Sequence, residues 1–178
     1  MAEILQILTY PNPLLRRRAA EVEEVDTALR DIVSTMFETM YAHKGVGLAA
    51  PQVGIGRKII VFNPSGERAD EQVLINPAVI DRRGAMEAEE GCLSFPGICG
   101  IVRRNSNIVV AAYDLDGGEV EIPAADFMAR VLQHEIDHVE GMLFVDRMTP
   151  ESRIAVREAL KALEDSYGKA VVESGERS

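Results

Sequence analysis

The amino-acid sequence predicts an α+β fold, and three observations support that prediction. The chain has 178 residues, a length that suits one domain with a proper hydrophobic core. Apolar periodicity predicts a helix near each end, a third helix before the last one, and several short strands between. Because the strands cluster instead of alternating with helices, they favour α+β over a parallel α/β sheet.

The first predicted helix covers residues 26–45. Asp26 is a candidate N-cap, and Gly45 is expected to end the helix in a left-handed conformation. Apolar residues recur at steps of three and four along one face, which is typical of an amphipathic helix. That face consists of Leu29, Ile32, Val33, Met36 and Met40.

A glycine-rich segment containing Pro51 follows and is expected to form a loop. Short apolar runs then predict four strands, at residues 57–63, 73–77, 107–114 and 119–123. The turn sequence "LDGG" separates the last two runs, so they are expected to pair as a hairpin.

Residues 124–141 form the second predicted helix, with Gly141 as its stop signal. Thr149 and Pro150 are the cap and first residue of a third helix that runs to residue 168. Its apolar stripe is expected to contain Ile154, Leu160 and Leu163. We expect residues 1–168 to form a single domain and residues 169–178 to form a flexible tail.

Composition excludes several classes of protein. Hydrophobic residues make up 47% and charged residues 27% of the chain, as in ordinary globular proteins. The net charge of -10 argues against a broad surface for nucleic-acid phosphates, so no direct nucleic-acid specificity is expected. No apolar run approaches a membrane span, no signal peptide is expected, and two cysteines are too few for a disulfide scaffold. These features favour a reducing, cytoplasmic compartment.

The stretch "QHEIDH" at residues 133–138 holds two of the three histidines in the chain. On a helix, His134 and His138 lie one turn apart, with Cβ atoms about 5–6 Å from each other, so both rings can reach one ion. Glu135 and Asp137 flank them at comparable angular steps, so helical geometry does not decide which acid would serve as a base. An ordinary half-buried helix with two hydrogen-bonded histidines also accounts for these six residues.

A third ligand would favour the metal site. Cys92, in "EEGCLSFPG", offers a thiolate that suits a borderline-soft divalent ion, although a lone cysteine is also a common small core residue. Glu158, 20 residues beyond His138, is the alternative with the spacing of a metalloprotease ligand.

Three motifs occur in order: "GVGLAAPQ" at 45–52, "EGCLS" at 90–94 and "QHEIDH" at 133–138. With all three in place, the chain resembles the peptide deformylase family from its N-terminus to about residue 150. The resemblance implies antiparallel β-sheets around a central helix that carries both histidines, with an N-terminal and a C-terminal helix. It also implies a metal-dependent hydrolase that removes the formyl group from the N-terminal formyl-methionine of nascent polypeptides.

The resemblance also assigns roles to individual residues. The implied metal ligands are Cys92, His134 and His138, with Glu135 as general acid and base. Gln52, through its side chain, and Leu93, through its backbone N–H, are implied to hold the substrate oxygen. Gly47 is implied to hydrogen-bond the substrate beside the formyl group, and Val46, Phe127 and Val131 are candidates for a methionine pocket.

The resemblance implies one divalent metal ion, with Fe(II) as the native metal, while zinc, nickel or cobalt would suit the same ligands. The implied partners are N-formyl-methionyl peptides and nascent chains, together with the ribosome, and no membrane. One departure concerns Cys99, which stands where many members of the family carry a basic residue that helps to hold the peptide. The mode of peptide anchoring is therefore open.

Two other functions stay open at this point. The first is a small metalloprotease with Glu158 as its third ligand, and the second is an acidic interaction domain with a structural metal or none. Formate release from formyl-Met-Ala separates them from a deformylase.

Overall fold

The computed structural model describes residues 4–175, and its strands form two antiparallel sheets. A five-stranded sheet has the order β1-β2-β3-β6-β7, and β4 and β5 form a separate two-stranded sheet. The strands are β1 (Gly47–Ala49), β2 (Ile59–Phe62), β3 (Gln72–Arg83), β4 (Met86–Gly91), β5 (Cys99–Arg104), β6 (Asn107–Tyr113) and β7 (Glu119–Ala125). With the helices described next, this arrangement confirms the α+β prediction.

Four α-helices accompany the sheets, in the order α1 (Thr27–Ala42), α2 (Asp126–Val139), α3 (Pro150–Ala155) and α4 (Arg157–Gly175). Helix α2 carries the histidine motif and packs against strands of the larger sheet, as the resemblance implied. No helix among residues 4–175 is both long and apolar enough to cross a membrane.

Strand β2 shows why the larger sheet lies between two helices. Its side chains alternate between faces, and all four of its residues are buried. Ile59 and Val61 pack with the apolar face of α1, whereas Ile60 and Phe62 pack with α2. A strand buried on both faces loses the apolar–polar alternation of a half-exposed strand, which accounts for its continuous apolar sequence.

Helix α1 begins as predicted and ends differently. The Asp26 carboxylate accepts a hydrogen bond from the Leu29 N–H at 2.8 Å, which confirms the N-cap. The predicted left-handed stop at Gly45 is wrong, because Lys44 adopts the positive φ of 57°. Gly45 instead lies in a tight space, since a Cβ there would approach Leu93 Cδ1 to 3.1 Å.

The four predicted strands are confirmed, while three others were not predicted. Strand β1 lies in the segment that was expected to be a loop, and its three residues are all buried. Strands β4 and β5 form a hairpin whose register pairs Met86 with Arg104 and Gly91 with Cys99. Three of the six residues of β4 are glutamates and only Glu90 is buried, so hydrophobic periodicity gives little indication of a strand there.

The C-terminal region contains two helices where one was predicted. The Thr149 hydroxyl accepts a hydrogen bond from the Ser152 N–H at 3.3 Å and caps α3 as predicted. The helix is interrupted at Val156, so side chains before and after this residue no longer follow one continuous helical face. Ile154 is consequently 70% exposed, and its assignment to the apolar stripe is wrong.

After the break, Val156, Leu160 and Leu163 pack against a buried cluster that includes Phe95 and Phe144. Helix α4 continues to Gly175, past the boundary expected at residue 168. Residues 176–178 of the predicted tail lie outside the described part of the chain, so the flexibility of that tail stays a prediction.

Candidate metal centre

The three predicted metal ligands converge in the structure. One ligand atom from each of Cys92, His134 and His138 lies within 4.8 Å of the others. Cys92 Sγ is 3.2 Å from His138 Nε2, and the two imidazole rings are 5.0 Å apart between centroids. Sulfur and imidazole nitrogen together form a donor set that suits a borderline-soft divalent ion.

The loop that carries Cys92 is fixed by packing beside it. The Cys92 carbonyl accepts a hydrogen bond from the Phe95 N–H at 2.9 Å, which forms a turn directly after β4. Phe95 is 1% exposed and makes an edge-to-face contact with Phe144 at 5.1 Å. The buried aromatic pair therefore anchors the thiol opposite the two histidines of α2.

Glu90 orients the first histidine. Its carboxylate oxygen lies 3.1 Å from His134 Nδ1, so it accepts the Nδ1 proton and leaves Nε2 free to bind an ion. Arg104 holds both oxygens of Glu90, at 3.0 and 3.1 Å. Burial alone would raise the pKa of Glu90, but hydrogen bonds from His134 and Arg104 outweigh it and lower this pKa to about 2.

The two histidines differ electrostatically. Burial opposes protonation of His134, yet the hydrogen bonds that its ring donates to Cys92 and Glu90 raise its pKa well above 6.5. Burial and the neighbouring His134 hold the pKa of His138 well below 6.5. The positive charge therefore lies on His134 and not on His138, and a divalent cation bound between the rings would take the place of the His134 proton.

Glu135 faces the same cavity without a hydrogen-bond partner. It is buried, and among the described residues its Oε2 atom has no partner. Burial raises the pKa of Glu135 to about 7, although the positive charge of His134 opposes the shift. A buried, unpaired carboxylate with a raised pKa is typical of a general acid or base.

Asp137, the other acid of the motif, is turned away from this cavity. Its carboxylate accepts hydrogen bonds from Arg104 and from Arg147, the latter at 3.0 and 3.3 Å. Two guanidinium groups therefore neutralise Asp137. The structure leaves Glu135 as the free acid of the pair.

Gln52 directs its amide nitrogen at the candidate centre. Its carbonyl oxygen accepts a hydrogen bond from the Ala49 N–H at 2.9 Å. The opposite side of the amide places Nε2 at 3.5 Å from Cys92 Sγ and 3.3 Å from Ser94 Oγ. The amide is 2% exposed, so it points a fixed donor at the cavity. Leu93 also lines this cavity.

The cavity beside these groups has a volume of about 570 Å³, which suits a peptide side chain and its backbone. Gly47, Val46, Phe127 and Val131, the residues expected to contact the substrate, all line it. Val131 is buried, whereas Val46 and Phe127 are 41% and 50% exposed and therefore lie at the mouth.

Arg130 lines the same cavity and was not predicted. It sits one helical turn before His134, so the spacing of i and i+4 could have indicated it. Its guanidinium donates to the Glu89 carbonyl, and its Nε lies 3.6 Å from Glu90. Lys44 and Glu89 also line the cavity, and no pattern in the sequence indicates that they do.

Glu158, the alternative third ligand, lies outside the candidate centre. Glu158 lies on α4 with its side chain 82% exposed, and it pairs with Arg157 at 3.5 Å, so its proposed role as a ligand is wrong. Cys92 and Cys99 are both free thiols. Cys99 lines the cavity, and the negative charge of Glu89 raises its pKa.

Comparison with known proteins identifies relatives along most of the chain. The family model described as polypeptide deformylase matches residues 4–153. A peptide deformylase of Syntrophobacter fumaroxidans is 48% identical over 84% of this chain and 89% of its own length. The chloroplastic peptide deformylase 1B of Oryza sativa subsp. japonica is 43% identical over 92% of this chain.

This chain spans 62% and 60% of the length of the chloroplastic relatives from rice and Solanum lycopersicum. Among solved structures, a Plasmodium falciparum peptide deformylase has a TM-score of 0.89 and 40% identity, covering 92% of this chain and 98% of its own. A peptide deformylase from Legionella pneumophila has a TM-score of 0.86 and 39% identity, with 93% and 98% covered.

Proposed function

The chain belongs to the polypeptide deformylase family, and we propose that it hydrolyses the formamide bond of N-formyl-methionyl peptides. The products are formate and a peptide with a free N-terminal amine. One observation carries the proposal beyond family membership: Cys92, His134 and His138 meet beside Glu135, an unpaired buried acid, in one cavity.

The metal is proposed to be Fe(II) in the native protein, with zinc, nickel or cobalt able to bind the same ligands. A cysteine thiolate and two imidazoles suit each of these ions, and Glu90 fixes the ring of His134 for coordination. When bound, such an ion acts as a Lewis acid that lowers the pKa of water and polarises a carbonyl group.

Glu135 is proposed to move the protons of the reaction. With a pKa raised to about 7, its carboxylate can accept a proton from water and, once protonated, deliver it to the leaving amine. The same burial that raises this pKa keeps competing water away from the carboxylate.

Gln52 and Leu93 are proposed to stabilise the negative charge that develops on the formyl oxygen. Gln52 Nε2 is held next to Cys92 by the hydrogen bond of its own carbonyl oxygen, so it needs no rearrangement to donate. Loss of one such donor typically costs about 2.7–4 kcal/mol of transition-state stabilisation.

The methionine side chain is proposed to enter the cavity formed in part by Val46, Phe127 and Val131, while Gly47 hydrogen-bonds the substrate near the formyl group. Cys99 lies in the same cavity without a positive charge. Lys44 and Arg130 are the cations that line it, so they are the candidates for holding the peptide.

The cellular context follows from the substrate. We propose that the protein acts in the cytoplasm on nascent chains, in contact with the ribosome, and that residues 1–168 form its catalytic domain. Two relatives are named chloroplastic, so family membership does not fix the compartment. Fractionation of cells of the source would measure where this protein is located.

The experiment is a formate assay with formyl-Met-Ala, run anaerobically beside metal analysis of wild type and Cys92→Ala. We expect wild type to release formate and Cys92→Ala to lose both metal and activity. Glu158→Ala is the matched control, since its exposed carboxylate should affect neither. Wild-type metal content and activity in Cys92→Ala would contradict the proposal, as would a metal-loaded wild type that releases no formate.

A further inference from the structure

A second cavity lies on the other side of α2, away from the candidate metal centre. Its volume is about 430 Å³, and α2 contributes Gln133, Ile136 and Asp137 to its wall. His134 and Glu135 of the same helix line the first cavity, so consecutive residues of α2 line two different cavities. The proposed deformylation uses no group of the second cavity directly.

Arginine dominates the lining of the second cavity. Arg82, Arg103, Arg104 and Arg147 line it together with a single carboxylate, that of Asp137. Such a concentration of positive charge is unexpected in a chain whose net charge is -10. Since like charges repel, four guanidinium groups around one cavity are unfavourable unless an anion offsets them.

Asp137 does not neutralise the whole cluster. Both oxygens of its carboxylate are paired with Arg104 or Arg147, and Arg104 is also paired with Glu90. In the described part of the chain, neither Arg82 nor Arg103 takes part in an ion pair. Both of these side chains are exposed at the cavity. Arg82 Nη1 donates to the Val79 carbonyl at 3.3 Å, and other N–H groups of the two arginines can reach a ligand.

The neutral part of the wall is rigidly built. Gln133 accepts a hydrogen bond from the Asn105 N–H at 3.1 Å and donates to the Asn105 and Ala129 carbonyls at 2.9 Å each. Asn105 in turn donates to the Gly84 carbonyl at 3.0 Å. These bonds fix the edge of β5 against α2, so the cavity has a defined floor beneath the arginines.

We propose that this arginine-lined cavity between α2, β3 and β5 binds a small phosphate-bearing anion. Guanidinium groups match the oxygens of phosphate in pairs, and the two arginines without ion pairs supply the charge that the fixed pairs do not. The concave shape and the volume suit a small molecule, such as free phosphate or a nucleotide, rather than an extended strand.

The test is calorimetric titration of the metal-loaded protein with inorganic phosphate, compared with sodium chloride at the same ionic strength. Wild type should bind phosphate, and the double variant Arg82→Ala/Arg103→Ala should bind it about tenfold or more weakly, because each charged hydrogen bond contributes strongly. Arg157→Ala is the matched control on α4 and should bind as wild type does.

Formate release in the double variant should equal that of wild type, since neither arginine lines the first cavity. This readout separates the anion site from the deformylase proposal. Equal phosphate affinity in wild type and the double variant would overturn the site, as would heats no larger than those of chloride. Tighter binding of an RNA decanucleotide without terminal phosphate, through the same arginines, would overturn the assignment to a small anion.

Discussion

Glu135 is the residue on which the proposed proton transfers depend. Replacing it by Gln keeps the size and removes the group that can accept a proton. We expect Glu135→Gln to lower kcat for formate release by about 10²–10⁴-fold, the usual contribution of a general acid or base. Metal content should be unchanged, because Glu135 is not among the three converging ligands.

The control for this prediction is Glu158→Gln, which alters an exposed carboxylate of α4 and should leave kcat unchanged. A Glu135→Gln variant with wild-type kcat would contradict the proposed role. If that variant lost its metal, the carboxylate would be acting as a ligand instead.

Gly47 provides a second test, because it touches Glu135 from β1. A Cβ at this position would lie 2.7 Å from Glu135 Oε1 and 3.0 Å from its Cγ, so the carboxylate would have to move. We expect Gly47→Ala to lower kcat/KM for formyl-Met-Ala by about 10–100-fold, since small displacements of reacting groups are costly.

Gly56→Ala is the matched control for that substitution, since a Cβ there meets nothing within 4 Å. Thermal unfolding of both variants would show whether the fold survives. Full activity in Gly47→Ala would mean that the position of the Glu135 carboxylate is unimportant.

The limits of sequence-based prediction at this scale concern partners from distant parts of the chain. The sequence spacing predicted that His134 and His138 lie together, but it did not show whether Glu135 or Asp137 acts as the base. The distinction comes from Arg104 and Arg147, which neutralise Asp137 and are 33 and 10 residues away from it. No local pattern encodes such contacts, so the family resemblance was needed to favour Glu135.

At the scale of elements, local signals predicted the first residues of helices well and the second sheet poorly. Asp26 and Thr149 cap their helices because a side-chain oxygen beside a helix start needs only neighbouring residues. Strand β4, in which Glu87 and Glu89 are exposed and Glu90 is buried, is stabilised by pairing with β5, which sequence periodicity cannot detect. The hairpin nevertheless carries Glu90 and leads into Cys92, so one of the three ligands and the orientation of His134 depend on it.

The turn after α2 gives a prediction at this scale. The Asp146 carboxylate accepts a hydrogen bond from the Leu143 N–H at 3.0 Å and pairs with Arg16. Burial opposes ionisation, but the bond to Arg16 outweighs it and holds the pKa of Asp146 below 3.8. Its stabilising effect is therefore complete above pH 3.8 and is lost as the pH falls through the lower folded-state pKa.

We expect Asp146→Asn to lower the free energy of unfolding by about 0.5–1 kcal/mol at pH 6, since the ion pair is partly exposed. At pH 2.5 the difference from wild type should shrink, because this pH lies below the ordinary pKa of 3.8, where protonation of the unfolded chain removes part of the stabilisation. Urea unfolding at both pH values measures this. A difference that stays constant or grows on acidification would contradict the assignment.

At the scale of the whole molecule, the larger sheet positions the candidate centre. It lies between α1 and α2, with Ile59 and Val61 on one face and Ile60 and Phe62 on the other. Burial on both faces holds α2 in one place and so fixes its histidines. The fold class was predictable because the sequence shows the strands grouped together between the helices. The order of the strands in the sheet was not predictable, because it depends on pairing between distant parts of the chain.

The central claim is that one divalent ion is bound by the sulfur of Cys92 and by the rings of His134 and His138. X-ray absorption at the zinc edge of zinc-loaded protein tests it most directly. We predict one sulfur at about 2.3 Å and two imidazole nitrogens at about 2.0–2.1 Å. A coordination shell of nitrogen and oxygen alone, with no sulfur at that distance, would contradict the account.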